Sequence, residues 1–244
     1  MGIHLYDGVP AEDLNASRLT SEGKGYTLDH PGELLVDMRY KGEGRSGANS
    51  QGWERSSPYY FKELQKRHPE FFSRKNHLRI EAGRSPVVDR QFASHFPQYK
   101  EYTGETLVHH HIGQDGQAVA LPQSIHKGYG EIHTVEHDLG ITEKAQGFSQ
   151  SCEAACQKDP SLYGQVSGQF RSFQAENEKS ENAFASSPEN KAADQYRENA
   201  FTQARPMEGY GPQSSRDNAI TASASTQAKD LAGASRGQTA EHAR

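Results

Sequence analysis

The sequence predicts a small α+β domain, mostly helical, followed by a polar tail that is partly helical or disordered. Three observations support this prediction: proline-bounded helical patterns over residues 53–100, a hairpin pattern around a glycine-rich turn at 113–116, and a fall in apolar residues after about residue 145. Apolar residues make up 33% of the chain, and the mean hydropathy is −0.92. A hydrophobic core can therefore form from only part of the length.

Changes of composition divide the 244 residues into three parts. Residues 1–52 are predicted to be a polar N-terminal region ending in a flexible glycine-rich loop, and residues 53–145 to be the folded domain. Residues 146–244 are predicted to be a low-hydrophobicity extension. Only nine Leu, Ile, Val or Phe residues occur in 145–244, which is too few for a packed core, so isolated helices or disorder are expected there.

The segment 53–100 contains three amphipathic stretches, which predict helices around a small core. The first begins at Ser57-Pro58, where proline suits the first helical turn, and its apolar face includes Tyr60 and Leu64. The second spans 69–83 and the third spans 85–97, each limited by proline or glycine.

The same part of the chain is basic. Ten Lys or Arg and four Asp or Glu residues fall in 55–100, a net charge of +6 within a chain of net charge −5. Such a stripe can follow a phosphate backbone, although solvated helix faces produce the same pattern. The candidate backbone contacts are Arg74, Lys75, Arg79 and Arg84.

Histidines are concentrated in the predicted hairpin-and-helix core, residues 104–137. Six of the chain's 12 His lie in 109–137, where an even spread would put about one or two. Because side chains alternate along a strand, His109 and His111 share one face and His110 takes the other. His126 and His133 are seven apart and share a helix face only if Gly128 and Gly130 do not interrupt the helix; His133 and His137, four apart, share a face more securely.

Such a cluster suits metal-assisted chemistry. Imidazole binds Zn²⁺ and other first-row metals, and a site of two or three His with open positions is typical of catalytic centres. A neighbouring His that does not bind the metal can act as a general base, while the metal polarises a phosphoryl oxygen. The alternatives are a structural zinc site and a surface turn.

The block LVHHHIGQDGQAVALPQSIHKGYGEIH resembles the core of the HNH/endonuclease VII superfamily nucleases, which have a ββα-metal (His-Me finger) fold. It is most similar to toxin branches that carry consecutive His residues. In those families a strand ends in a His pair, and a hairpin, an apolar-Pro segment (here 118–122) and a helix with further His follow. The resemblance covers about residues 53–141, and the helical run at 68–99 is similar to the one that precedes the motif in some of these toxins.

The resemblance implies roles for individual residues. His110, or else His111, would be the general base. His109, His126 and His133 would bind one divalent ion of Mg, Mn, Zn or Ni, with His137 as the alternative last ligand. The implied function is an endonuclease of DNA, or of RNA, with little sequence specificity, acting as a bacterial toxin or effector whose partner is an acidic immunity protein. The competing hypothesis is a non-catalytic metal-binding interaction protein.

Other segments add expectations of their own. No run of 18 apolar residues predicts a transmembrane helix, and the N-terminus lacks the pattern of a classical signal peptide. The expected location is the bacterial cytoplasm, or a target cell reached by a non-classical route. Cys152 and Cys156 are most simply two ordinary thiols, but their i,i+4 spacing would also let them join a metal site.

Overall fold

The computed structural model describes residues 3–126 and 131–185. The chain divides into two compact units, Met1–Asn190 and Lys191–Arg244, and all the described residues belong to the first. The expectations for residues 186–244, and for the interruption at Gly128 and Gly130, fall outside the described residues.

Eight helices and five strands can be assigned in the described ranges. The helices are α1 Ala11–Asn15, α2 Ser57–Arg67, α3 Arg74–Glu81, α4 Arg90–His95, α5 Gln123–His126, α6 Glu131–Asp138, α7 Ile141–Lys158 and α8 Ser167–Ala185. The strands are β1 Arg18–Leu19, β2 Gly25–Tyr26, β3 Val36–Asp37, β4 Leu107–His111 and β5 Gln117–Pro122. The predicted α+β class is confirmed.

The helix at Ser57–Arg67 begins where the sequence predicts, but α3 and α4 begin at Arg74 and Arg90, after the predicted starts at 69 and 85, because side-chain caps fix their first turns. The Ser56 and Ser73 hydroxyls accept hydrogen bonds from backbone N–H groups in the first turns of α2 and α3, and the Asp89 carboxylate does the same for α4. Each helix buries apolar side chains in the main core, among them Tyr60, Ile80 and Phe92, whereas Leu78 of α3 is exposed.

The central sheet is antiparallel, with strand order β3-β5-β4. β4 and β5 form the predicted hairpin, in which His109 pairs with Ala120 and His111 with Ala118. Every residue of β5 is buried, so the strand lies in the middle of the domain. The connecting turn needs left-handed backbone at Gly113 (φ 55°) and at Gln114 (φ 66°), which explains a glycine there.

The N-terminal region is packed into this domain. Leu5, Leu28 and His30 are buried, and β3 supplies the third strand of the sheet. The glycine-rich segment 39–52 has no long helix or strand, but its side chains bond to the hairpin turn: Asn49 Nδ2 donates to the Gln114 carbonyl at 2.7 Å. Contacts therefore cross the expected domain boundary at residue 52.

Contacts also cross the expected boundary at residue 145. Helices α7 and α8 contribute to a second apolar cluster, called here the Trp53 cluster, which consists of Tyr40, Trp53, Phe148, Cys152, Cys156 and Phe170. A few apolar residues in α7 and α8 are enough to form this cluster because its two largest side chains, Tyr40 and Trp53, come from the N-terminal half of the chain. None of the helices in 3–126 and 131–185 is both long and apolar enough to cross a membrane.

The two cysteines are free, buried members of this cluster. Burial raises the pKa of both thiols, that of Cys156 to about 11, so neither is a reactive thiolate at neutral pH. In the part of the chain that the structure describes, the side chains grouped closely enough to hold a metal do not include them.

Candidate metal centre

Strand alternation separates the three consecutive histidines as the sequence predicts. His110 is fully buried and faces the segment after the hairpin, where its ring lies 5.4 Å from the ring of His126 and 4.9 Å from that of His133. His109 and His111 lie on the other face of β4 and are in edge contact with each other at 5.3 Å. The end of β4 therefore places His110 beside His126 and His133 on one face, and His109 beside His111 on the other.

The side chains grouped closely enough to hold a metal are His110, His126 and His133. Each offers one ring nitrogen, and the three nitrogens lie within 4.8 Å of one another. His109, expected in this set, is instead stacked on the Tyr60 ring at 5.7 Å. His137, the alternative last ligand, is 67% exposed, and its Nε2 lies 3.1 Å from a Glu143 carboxylate oxygen.

The buried carboxylate of Glu136 contacts His110 and lies close to His133. Glu136 is fully buried, and its Oε1 accepts a hydrogen bond from His110 Nε2 at 2.8 Å, while its Oε2 lies 3.6 Å from His133 Nδ1. Burial alone would raise the pKa of the Glu136 carboxyl, but His110 and His133 outweigh burial and lower it to about 2. The carboxylate form therefore requires the His110 proton to sit on Nε2.

When the His110 ring is neutral, that tautomer leaves the lone pair of Nδ1 free. Nδ1 is buried and has no hydrogen-bond partner among the described residues. Burial, followed by the proximity of His110 and His133, lowers the pKa of His126 to about 4, so it is neutral at pH 7 and able to bind a metal. A buried free lone pair, two further imidazoles and a carboxylate behind them fit a divalent cation, since metal-bound His commonly donates its other N–H to a carboxylate.

His111 is held in one tautomer by the hairpin turn. Its Nδ1–H donates to the Asp115 backbone carbonyl at 2.7 Å, and its Nε2 has no partner within the described ranges. Burial lowers the pKa of His111 to about 4 and that of His109 to about 3. With its proton on Nδ1, His111 can accept a second proton at Nε2, and hydrogen bonding to the Asp115 and Glu54 backbone would favour the imidazolium that forms.

A cleft of about 1070 Å³ opens on these residues. His109, His111, His126 and His133 line it, together with polar groups from the 49–57 segment and from α6 and α7. The exposed side chain of Arg55 also lines the cleft and adds a positive charge to it.

The four predicted phosphate contacts lie elsewhere. Arg74, Lys75, Arg79 and Arg84 are not among the residues that line the cleft. Arg79 is nevertheless linked to the rim: its Nε donates to the Ser85 carbonyl at 2.8 Å, and the Ser85 hydroxyl lies 3.0 Å from that of Ser57, a cleft residue. The other three are exposed.

An ion-paired carboxylate anchors the short helix that carries His126. Glu105 accepts a hydrogen bond from Ser124 N, in the first turn of α5, at 3.0 Å, and it forms an ion pair with Lys24. An acidic group at a helix start satisfies N–H groups that lack partners within the helix. The N-terminal region thus contributes to the position of a candidate ligand.

Sequence reasoning missed Glu136, His30 and Arg55. Glu136 follows Ile132 by four positions and so shares its buried helix face, a signal that a closer reading of α6 would have used. His30 is buried with its ring 6.3 Å from that of His110, and burial, then His110, lowers its pKa to about 3. Nothing in the sequence pattern connects His30 to the triplet.

Part of this chain is similar to a known protein family. Residues 32–134 match the family described as HNH/Endo VII superfamily nuclease toxin with a HHH motif. No curated protein and no solved structure shows significant similarity to this chain. The match contains the triplet and His126 and His133, and it ends before Glu136, α7 and α8. The resemblance expected from the sequence is confirmed: residues 32–134 are similar to nuclease toxins of the HNH/Endo VII superfamily with a HHH motif.

Proposed function

We propose that this chain is a metal-dependent endonuclease that hydrolyses phosphodiester bonds of DNA and acts as a bacterial toxin. The observation that carries the proposal is the meeting of the His110, His126 and His133 nitrogens within 4.8 Å beside a cleft that His111 also lines. Three protein ligands leave coordination positions open, as catalytic sites require. The family match to nuclease toxins supports the same function.

The geometry favours a register one residue later than the first choice from sequence. We assign His110, with His126 and His133, to the metal because its ring lies on the face of β4 toward those rings and its Nδ1 has no hydrogen-bond partner in the described ranges. We assign His111 to the general base because its Nδ1–H is bound by the Asp115 carbonyl and its Nε2 is free. His109 then serves as a cleft-wall residue stacked on Tyr60.

The reaction follows from these roles. When bound, a divalent ion supplies Lewis-acid stabilisation of the negative charge on the phosphoryl and leaving oxygens. His111 Nε2 takes a proton from a water molecule, whose oxygen bonds to phosphorus as the bond from phosphorus to the leaving oxygen breaks. The leaving oxygen takes a proton from solvent. The Asp115 carbonyl stabilises the His111 imidazolium that forms, since it accepts the Nδ1–H throughout.

Positively charged side chains would bind the phosphates of the substrate. Arg55 is placed in the cleft wall to contact a phosphate, and the basic segment 55–100, including Arg74, Lys75, Arg79 and Arg84, extends the positive surface beyond it. Phosphate contacts carry no sequence information, so we propose cleavage with little sequence preference. The same positive charge is complementary to an acidic immunity protein.

The test is a cleavage assay of plasmid DNA and of total RNA with Mg²⁺, Mn²⁺, Zn²⁺, Ni²⁺ or EDTA. We expect DNA cleavage that EDTA abolishes. His111→Ala should lower turnover by about 10²–10⁴-fold while metal still binds, as loss of a general base does. His126→Ala should lose metal binding, whereas His95→Ala, which changes an exposed histidine outside the cleft, should cleave like the unchanged protein.

Two results would contradict the proposal. One is full activity in EDTA, and the other is full activity of a His110→Ala, His111→Ala double variant. Cleavage of RNA alone would replace DNA as the substrate. A protein that unfolds when the metal is removed and cleaves neither nucleic acid would favour a structural metal site instead.

A further inference from the structure

The turn that holds His111 is contacted by helices outside the family-matched segment 32–134. Arg171 of α8 forms an ion pair with the Asp115 carboxylate; the Asp115 side chain is fully buried and that of Arg171 is 19% exposed. The Arg171 guanidinium also lies 3.9 Å from the centre of the Phe148 ring, a residue of α7. A cation in this position is held on two sides, by a carboxylate and by an aromatic face.

Asp115 links this ion pair to His111 through one residue. Its carboxylate binds Arg171, and its backbone carbonyl, 2.7 Å from His111 Nδ1, accepts the imidazole proton. Burial raises the pKa of the Asp115 carboxyl to about 6, and Arg171 limits the rise. Without the guanidinium, the buried carboxylate would be unpaired, and outward movement of the turn toward water would relieve it.

The rest of the turn is tightly packed against the same helices. A methyl group on Gly113 would lie 2.9 Å from the Ile141 carbonyl of α7, and one on Gly116 would lie 2.5 Å from Ser167 Cβ of α8. The turn is therefore confined where it touches α7 and α8, and Arg171 is the charged contact that balances the buried acid.

We propose that Arg171 is a positioning residue for His111: through Asp115 it fixes the turn whose carbonyl sets the tautomer and ring orientation of the imidazole. This inference rests on the proposed function, in which His111 is the general base. It makes α8 part of the catalytic apparatus although α8 lies beyond the family-matched segment.

The test compares Arg171→Gln with Lys179→Gln, which removes one positive charge from an exposed position of the same helix. Turnover, KM and metal affinity are measured on the full chain, together with the ¹⁵N chemical shifts of His111, which report the tautomer. For Arg171→Gln we expect turnover to fall about 10–100-fold, as a small misplacement of a catalytic group produces. KM and metal affinity should stay within about twofold, because only an interaction of the transition state is lost.

A second variant separates positioning from stability. The double variant Asp115→Asn, Arg171→Gln has no buried charge to destabilise it, so it should fold even if Arg171→Gln does not. We expect its turnover to remain low and its His111 spectrum to differ from that of the unchanged protein, because the ion pair with Asp115 and the contact of the guanidinium with Phe148, which hold the turn in place, are both absent. Unchanged turnover and His111 shifts in either variant, or an equal loss in Lys179→Gln, would overturn the proposal. If the unchanged protein cleaves no nucleic acid, the proposed function fails, whereas the His111 spectra still decide whether Arg171 positions the ring.

Discussion

At the scale of single residues, Glu136 connects the parts of the candidate metal centre. It contacts His110 and lies near His133, so one buried anion orients two imidazoles. Behind it lie Tyr6 and His30, whose hydroxyl and Nε2 have no hydrogen-bond partner in the described ranges. Burial and then Glu136 raise the pKa of the Tyr6 hydroxyl, so Tyr6 stays protonated and can donate. The negative charge of Glu136 would partly compensate a bound divalent cation in a site whose other members are imidazoles.

Glu136→Gln should therefore weaken metal binding. The amide keeps the size of the side chain but removes its charge and its strongest acceptor, and loss of such a partner typically costs about 10–100-fold in metal affinity. Calorimetric titration of the metal-free protein with Zn²⁺ measures the change. The matched control is Glu143→Gln, which neutralises a carboxylate 54% exposed beside His137 and should bind Zn²⁺ like the unchanged protein. Equal affinities for the two variants would argue against an orienting role for Glu136.

Residue-scale prediction from sequence succeeded where a local rule was sufficient. Alternation along β4 correctly places His110 opposite His109 and His111, because that rule depends only on strand geometry. Which face of β4 lies against His126 and His133 depends on how α5 and α6 fold back on the strand, and local sequence rules do not predict that packing. The assignment of base and ligands among His109, His110 and His111 therefore stays a prediction.

At the scale of elements, the hairpin turn is a packing surface as well as a connection. Gln51 Nε2 donates to the Gly113 carbonyl at 3.2 Å, and Gln51 Oε1 accepts from Ser149 of α7 at 3.1 Å. The Trp53 indole N–H donates to the same Ser149 hydroxyl at 2.8 Å. Segment 49–53 thus lies between the turn and α7, and hydrogen bonds hold it on both sides.

Gly116→Ala should destabilise the protein because this packing leaves no room for a methyl group. The added Cβ would lie 2.5 Å from both Ser167 Cβ and the Trp53 ring, and overpacking of this kind costs about 1–3 kcal/mol. The contrasting variant is Gly147→Ala in α7, where a methyl group meets nothing within 4 Å and better helix propensity should add about 0.5–1 kcal/mol. Urea denaturation followed by circular dichroism gives both values. A Gly116→Ala variant as stable as Gly147→Ala would show that the turn is not confined.

Element prediction was best where local signals mark both ends of a helix. The Ser57-Pro58 start identifies α2 and the glycine-rich turn identifies the hairpin, whereas the prolines at 69 and 86 put the starts of α3 and α4 too early. The packing of α7 and α8 could not be predicted from the few apolar residues they contain. Their buried side chains, such as Phe148 and Phe170, complete a cluster whose largest members come from about 100 residues earlier in the sequence. A window along the sequence cannot detect such shared burial.

At the scale of the molecule, the folded unit is larger than the family-matched segment. The match covers 32–134, whereas the compact unit spans Met1–Asn190. Residues before 32 bury Leu5 and His30 against the main core and the candidate site, and residues after 134 complete the Trp53 cluster. The family-matched segment therefore shares its apolar clusters with residues that come before it and after it in the sequence.

A chain ending at residue 190 should fold, whereas a chain ending at residue 140 should not. The shorter chain loses Phe148 and Phe170 from the Trp53 cluster, and removal of one buried Phe costs about 3–5 kcal/mol. It also exposes the rings of Tyr40 and Trp53, and leaving a large apolar side chain in water forfeits about 1.5–3 kcal/mol each. Together these losses approach the whole stability of a typical domain, about 5–15 kcal/mol.

The fluorescence of Trp53, which is fully buried and is the chain's one tryptophan, reports whether each shortened chain folds. We expect blue-shifted emission and a cooperative urea transition from the chain ending at 190, and red-shifted emission without a transition from the one ending at 140. Cooperative unfolding of the shorter chain, or its absence in the longer one, would mean that α7 and α8 are not integral to the domain.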